Sequence, residues 1–163
     1  MVDVITRVCP HCDTETPDRV CPNDGTATLM RNPPAVDLTK VAVGKVIAHR
    51  YALDRELGRG GFGAVFGARH TGTGQQVAVK VLSSVGDPSA IKRFFREARV
   101  TAALKSRHTI RVFDFGQDDD GLTYLAMELL TGQTVHEWLQ SRSKTGTALS
   151  ESEAVEVGIA VCK

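Results

Sequence analysis

Leu57 to Lys80, LGRGGFGAVFGARHTGTGQQVAVK, is the stretch that most restricts what this chain can fold into. Gly58, Gly60 and Gly63 stand at G-x-G-x-x-G spacing, Val65 comes two residues later, and Val77-Ala78-Val79-Lys80 lies beyond a turn. Glycines let backbone N–H groups approach phosphate oxygens closely, because no Cβ intervenes. The spacing alone is shared by several phosphate-binding loops, and the residues after the glycines discriminate among them. A dinucleotide-binding fold needs a helix next, whose N-terminus holds the pyrophosphate. Here AVFGARH and QQVAVKVL are β-type runs joined by Thr71-Gly72-Thr73-Gly74, which is a hairpin pattern. That fold also places an acidic residue about twenty positions on, against a ribose hydroxyl; this chain has Lys80 and Val81 there. The dinucleotide reading fails.

Strand, glycine loop, strand, turn, and a strand bearing V-A-V-K closely resemble the start of bacterial eukaryotic-like serine/threonine protein kinases. Both G-x-G-x-x-G-x-V and V-A-[IV]-K are matched, in register. The resemblance runs from about Ile47 to Lys163. It implies an α+β fold: a small lobe of antiparallel sheet with one main helix, then a hinge and the first helices of an incomplete large lobe. It also implies ATP, with magnesium in a complete kinase, as the ligand. Gly58, Gly60, Gly61 and Gly63 would cover the phosphates, with Phe62 shielding them at the loop tip. Lys80 would pair with the α and β phosphates, and Glu97, in an R-E-A context, would pair with Lys80. Leu57, Val65 and Ala78 would enclose the adenine, Met127 would be the gatekeeper, and Glu128 and Leu130 would offer backbone groups to the adenine edge.

The rest of this part can be read in order. Asp87-Pro88-Ser89 marks a helix start, and IKRFFREARVTAAL continues with apolar residues at Ile91, Phe94, Phe95, Ala98 and Ala102, and with Val100 as a further candidate. Thr109 to Gly116, TIRVFDFG, reads as a strand. It contains Asp114-Phe115-Gly116, the letters of the kinase magnesium motif, but ahead of the hinge at Met127-Glu128-Leu129 instead of after it. Asp114 is therefore expected in a strand-end or turn role, without metal. Leu122 to Leu130 forms the next strand, Thr134 to Leu139 a short helix, and Ser150-x-x-Glu153 is a capping box that opens another helix. The family's chemistry requires an H-R-D-x-x-x-x-N loop and a D-F-G after it, and the sequence contains neither beyond the hinge. The chain by itself is expected to transfer no phosphoryl group. Two readings stay open: the ATP-binding portion of a serine/threonine kinase, or a non-catalytic interaction module.

Ahead of the kinase-like part lies an appendage at residues 1–30, with a proline-bearing linker after it at 31–46. Cys9-Pro10-His11-Cys12 and Cys21-Pro22-Asn23-Asp24 give C-x2-C-x8-C-x2-D. The pattern resembles the short zinc ribbons that precede some bacterial kinases, with a fourth cysteine lacking. Cys9, Cys12 and Cys21 are candidate zinc ligands, with Asp24 or His11 as the fourth, in a structural site. So small a segment has too little apolar core to fold without metal. Cys162 lies far off on a predicted helix, where a core role is expected. A net charge of +1 gives no general attraction for nucleic acid or acidic membranes. No apolar run approaches the roughly 18 residues of a membrane span, so a cytoplasmic location is expected. The protein substrate is not legible.

Overall fold

The computed structural model describes residues 6–34, 36–61, 63–82, 88–144, 146 and 148–162. The expectations for Phe62 and Asp87 fall outside them. The chain divides into two compact units, Met1–Leu104 with Arg111–Leu129, and Lys105–Ile110 with Leu130–Lys163.

The first unit is built on a six-stranded antiparallel sheet in the order β4-β5-β6-β7-β9-β8. Its strands are β4 (Val46–Ile47), β5 (Tyr51–Gly60), β6 (Gly63–His70), β7 (Gln76–Leu82), β8 (Val112–Gln117) and β9 (Thr123–Glu128). The glycine loop joins β5 to β6, and the Thr71–Gly74 turn joins β6 to β7. Side chains alternate between the faces of a strand, and directly paired residues share a face. Ala64 pairs with Val81, Phe66 with Val79 and Ala68 with Val77, while Tyr124 and Ala126 continue that face on β9. All of these are buried and form one core cluster with Tyr51, Leu53 and Leu122. This is the back face. The alternate residues Val65, Ala78, Lys80, Leu125 and Met127 form the front face.

Residues 36–48 cover the back face. A single 3-10 turn, Leu38–Lys40, is capped by Asp37, whose carboxylate accepts from the Thr39 N–H. Val41 and Ile47 are buried in the same cluster, and Val36, Leu38 and Ala48 pack against it. The stretch expected as a linker is therefore a strap that completes the core. Its prolines end regular structure, but the valine and isoleucine after them supply the apolar surface that the sheet needs.

Helix α1 (Pro88–Ala103) lies on the front face, where Phe95 packs edge-on against Phe115 of β8 at 5.4 Å. Phe95 and Ala98 are buried, whereas Val100 faces solvent.

The early D-F-G has a structural role at each letter. The Asp114 carboxylate accepts from the Tyr51 and Tyr124 hydroxyls, each at 3.1 Å, and pairs with Arg50 at 3.1 Å. Phe115 supports α1, and a Cβ at Gly116 would stand 3.1 Å from the Tyr124 hydroxyl oxygen. Asp114 lies within β8, opposite Ala126 and just after a bulge. Burial and the neighbouring Asp114 carboxylate push Tyr51 up to about 12.

A second sheet, β2-β1-β3, holds the appendage: β1 (Arg7–Val8), β2 (Glu15–Thr16) and β3 (Leu29–Met30). Arg7 is buried and donates to the Thr28 hydroxyl and carbonyl, at 3.0 and 2.8 Å. The appendage is docked on the larger sheet. The Met30 N–H donates to Gln117 Oε1 at 2.7 Å, Arg19 pairs with Asp119, and Lys92 of α1 pairs with Asp13.

The second unit holds α2 (Val135–Lys144) and α3 (Glu151–Val161). Ser150 and Glu153 form the expected capping box. Thr134 and Glu137 make the same reciprocal pair ahead of α2, with the Glu137 N–H donating to the Thr134 hydroxyl and the Thr134 N–H to the Glu137 carboxylate. Arg142 pairs with Glu153 and lies over the Trp138 ring. No described residue of either helix is buried. Cys162 caps α3 and is exposed, which corrects the expected core role. No helix of the described residues is long and apolar enough to cross a membrane.

Candidate functional site

Neighbouring strands bring much of the candidate nucleotide site together. Gly58 on β5 pairs with Val65 on β6, Val65 with Lys80 on β7, and Lys80 with Leu125 on β9. Two residues along β7, on the same face, Ala78 pairs with Met127. Ala78 is buried, Val65, Lys80, Met127 and Glu128 are half-buried, and Leu57 is exposed. Glu128 closes the end of this row through its backbone N–H, which donates to the Arg111 carbonyl at 2.9 Å. Leu130 belongs to the second unit and is exposed.

The loop glycines divide into two kinds. Gly63 has φ +145°, and a Cβ there would stand 2.0 Å from the Val81 carbonyl oxygen, so the fold itself demands glycine. At Gly58, Gly60 and Gly61 a Cβ would meet nothing within 4 Å. Packing among the described residues leaves those three positions free, with open space in front of their backbone.

Lys80 and Glu97 are not brought together. The Lys80 ammonium lies 5.9 Å from the centroid of the Phe94 ring, Glu97 is exposed, and among the described residues no ion pair joins the two. The expected pairing is therefore corrected for this conformation. Phe95 and Ala98 define the buried side of α1; at 3.6 residues per turn Phe94 flanks that side, while Glu97 falls roughly 130° away from it. The aromatic face beside the lysine offers a cation–π contact in place of the carboxylate. The sequence marks Phe94 only as an apolar helix position.

The appendage assembles a second candidate site from one turn used twice. Cys9 N–H donates to the Thr14 carbonyl and Asp13 N–H to the Cys9 carbonyl; Cys21 N–H donates to the Thr26 carbonyl and Gly25 N–H to the Cys21 carbonyl. Asp13 and Gly25, at equivalent points, both have positive φ, 57° and 70°. The equivalence sets Asp24 opposite Cys12. Ligand atoms of Cys9, Cys12, Cys21 and Asp24 all lie within 4.8 Å of one another. The Cys12 and Cys21 sulfurs are 3.5 Å apart, and Cys9 Sγ is 3.5 Å from Asp24 Oδ2. Thiolates bound about 2.3 Å from a tetrahedral zinc stand about 3.8 Å apart, so the residues fit such an ion. All three cysteines are free thiols, with Cys9 and Cys21 buried. His11 stands outside the ligand cluster, its Nδ1 2.7 Å from Asp24 Oδ2, where it holds the carboxylate. Thr26, then His11, keep the Asp24 carboxyl well below the usual carboxylate range. The Thr14 hydroxyl brings the Cys12 thiol down to about 7, while burial pushes Cys21 up to about 11. Beside this cluster, Pro10, His11 and Thr26 share a cavity of about 360 Å3 with Phe95, Arg96, Arg99 and Phe115.

Comparison with known proteins agrees with this architecture. The protein kinase domain family matches residues 51–163. The serine/threonine-protein kinase pkn3 of Myxococcus xanthus is 40% identical over 99 residues, 60% of this chain and 18% of that protein. A probable serine/threonine-protein kinase PknB of Corynebacterium glutamicum is 37% identical over 123 residues, 72% of this chain and 18% of that protein. The crystal structure of the Mycobacterium tuberculosis PknI kinase domain aligns with a TM-score of 0.62 at 31% identity, over 74% of this chain and 48% of that one. The chain thus spans under a fifth of these curated relatives and about half of the solved kinase domain. With the sheet, the single front-face helix and the matched motifs in agreement, the chain belongs to the protein kinase domain family, among the bacterial serine/threonine kinases.

Proposed function

We propose that these 163 residues form the ATP-clasping portion of a serine/threonine protein kinase. The observation that carries this reading is the open space at Gly58, Gly60 and Gly61. Glycine costs conformational entropy, and among the described residues no contact requires it at those three positions. A ligand that needs bare backbone N–H groups does, and phosphate is such a ligand. Lys80 stands on the same face with its charge unneutralised by any carboxylate within 4 Å among the described residues. Val65, Ala78 and Met127 supply an apolar surface beside it for adenine, with the backbone of Glu128 at its end. Titration with ATP, tracked by backbone amide shifts, tests the reading. Gly58 to Gly63 and Met127 to Leu129 should respond together; silence of both at millimolar ATP in folded protein would sink it.

Transfer of the γ-phosphoryl group to a protein serine or threonine is the family's reaction. No H-R-D occurs in these 163 residues, and on their own they are expected to bind ATP without turning it over. A radiolabelled ATP assay with a generic protein substrate is the check, and transfer that is abolished in Lys80→Met would overturn it. A second reading, a non-catalytic interaction module, draws support from the exposed Glu97. Absence of ATP binding would favour it.

The appendage is proposed to carry one structural zinc held by Cys9, Cys12, Cys21 and Asp24, with His11 supporting Asp24. Elemental analysis after growth in metal-replete medium should give about one zinc per chain. Well under half would count against the site. Asp24→Ala should lower the content more than His11→Ala.

A further inference from the structure

Arg59 is the one charged side chain inside the glycine loop, between Gly58 and Gly60. Because it pairs with Ala64, a back-face residue, its side chain leaves the loop on the side opposite the candidate nucleotide. There each of its three guanidinium nitrogens has a partner. Nε and Nη2 reach the Glu56 carboxylate at 3.2 and 2.7 Å, Nη1 donates to the Leu38 carbonyl at 2.9 Å, and Nη2 donates to the Val41 carbonyl at 3.2 Å. Its Cζ lies 5.7 Å from the centroid of the buried Phe66 ring. Leu38 and Val41 bracket the 3-10 turn of the strap, whose own bond from Val41 N–H to the Leu38 carbonyl holds both acceptors in place. Neither residue belongs to the region matched by the kinase family, which begins at residue 51.

We infer that Arg59 is a positioning residue: it ties the phosphate loop to the preceding strap and so sets where the Gly58, Gly60 and Gly61 N–H groups stand. The inference rests on the ATP reading. A strand end rich in glycine samples many backbone states, and ordering it on binding costs free energy. A planar fork that spans two backbone carbonyls and one carboxylate removes much of that freedom beforehand. Because Arg59 never reaches the front face, it contributes order to the ligand site and no contact. Its loss should weaken what the loop holds, the phosphates, and spare what the sheet holds, the adenine.

The test compares ATP with adenosine on the whole 163-residue chain. In Arg59→Ala, ATP affinity should fall on the order of tenfold while adenosine affinity stays within about twofold. Amide exchange at Gly58 to Gly61 should quicken. Arg59→Lys, which can still meet Glu56 but cannot bridge both carbonyls, should fall between. It also serves as the folded control if the alanine variant unfolds. Wild-type-like ATP binding in both variants overturns the inference, as does a parallel loss of ATP and adenosine, which marks a general structural role. A wild-type chain that binds adenosine and not ATP, or neither, overturns the phosphate reading itself, a result distinguishable from the failure of Arg59 alone.

Discussion

The two faces of the six-stranded sheet are built from the same strands, one residue out of step, and they differ in almost every physical respect. On the back face, Phe66, Val77, Val79 and Val81 are at most 2% exposed, sealed by the strap. On the front face, Val65, Lys80 and Met127 remain half-buried, and α1 packs on the side nearest β8. The sequence VAVKVL shows the difference in miniature: its valines face back, and the alternate positions begin with an alanine and a lysine. A sheet that served stability alone would gain from a large apolar residue at Ala78. The nucleotide site proposed above uses the face that was left incomplete.

If that division is right, substitutions should separate into those that unfold the lobe and those that silence it. The largest effect is expected at Phe66→Ala, which deletes a fully buried ring from the back-face core and should cost about 3–5 kcal/mol in urea unfolding. Gly63→Ala comes next, since its Cβ would meet the backbone oxygen of Val81 and no flexible side chain can give way. A loss of roughly 2–4 kcal/mol is expected. Gly61→Ala is the matched control, with open space at the new methyl. It should change stability by about 0.5 kcal/mol or less beyond its effect on chain entropy. Equal losses at the two glycines would erase the distinction between a glycine kept for the fold and one kept for a ligand.

Asp114→Asn probes the back face through its polar network and should cost about 1–3 kcal/mol, because Arg50 loses its carboxylate partner. The same network sets a pH dependence. Burial, then the Asp114 charge, raise Tyr51 from 10.0 to about 12 in the folded state. Tyr124 is raised as well. A raised pKa contributes stability that is complete below the unfolded value and is lost as pH rises through the folded one. Unfolding midpoints should therefore show no loss from this pair up to about pH 10 and fall towards about pH 12. Tyrosinate absorbance should appear later in folded than in unfolded protein, and coincident titration curves would remove Tyr51 from the network.

Much of this division is legible in the sequence. The hairpin around Thr71–Gly74 announces itself by β-type runs on both sides of a glycine turn. Motif order alone sets Asp114 apart from the family's magnesium motif, since its D-F-G precedes the hinge. The strap reads as a linker because two prolines end regular structure, and only three-dimensional packing shows that Val41 fills the back face. Motif context gives the position of Glu97 on its helix but not the rotation of that helix, and rotation decides whether a carboxylate or Phe94 meets Lys80. The repeated two-residue spacing already puts Asp24 at the place of Cys12 in the sequence, and only the folded turns show His11 bonded to that carboxylate. Arg59 does carry a signal in the sequence: a long cation between two glycines has to be accommodated somewhere.

The smallest expected change in stability, paired with a large change in binding, is at Lys80→Met. Lys80 sits on the front face with Phe94 as its neighbour and no carboxylate partner among the described residues. Removing the ammonium forfeits a cation–π contact worth about 0.5–1 kcal/mol at a partly exposed site. The methionine sulfur recovers a similar amount against the same ring, and its stem keeps the packing of the lysine methylenes. Urea unfolding should therefore shift by about 0.5 kcal/mol at most. ATP binding is another matter, because the front face loses the charge proposed to meet the phosphates. Charge-assisted contacts of this kind are worth about 1.5–3 kcal/mol, so affinity should fall roughly ten- to a hundredfold. Adenosine, which carries no phosphate, should bind as before. A Lys80→Met chain that unfolds early would return the lysine to the ranks of structural residues. One that keeps both its stability and its ATP affinity would show that the open face is not where the nucleotide is held.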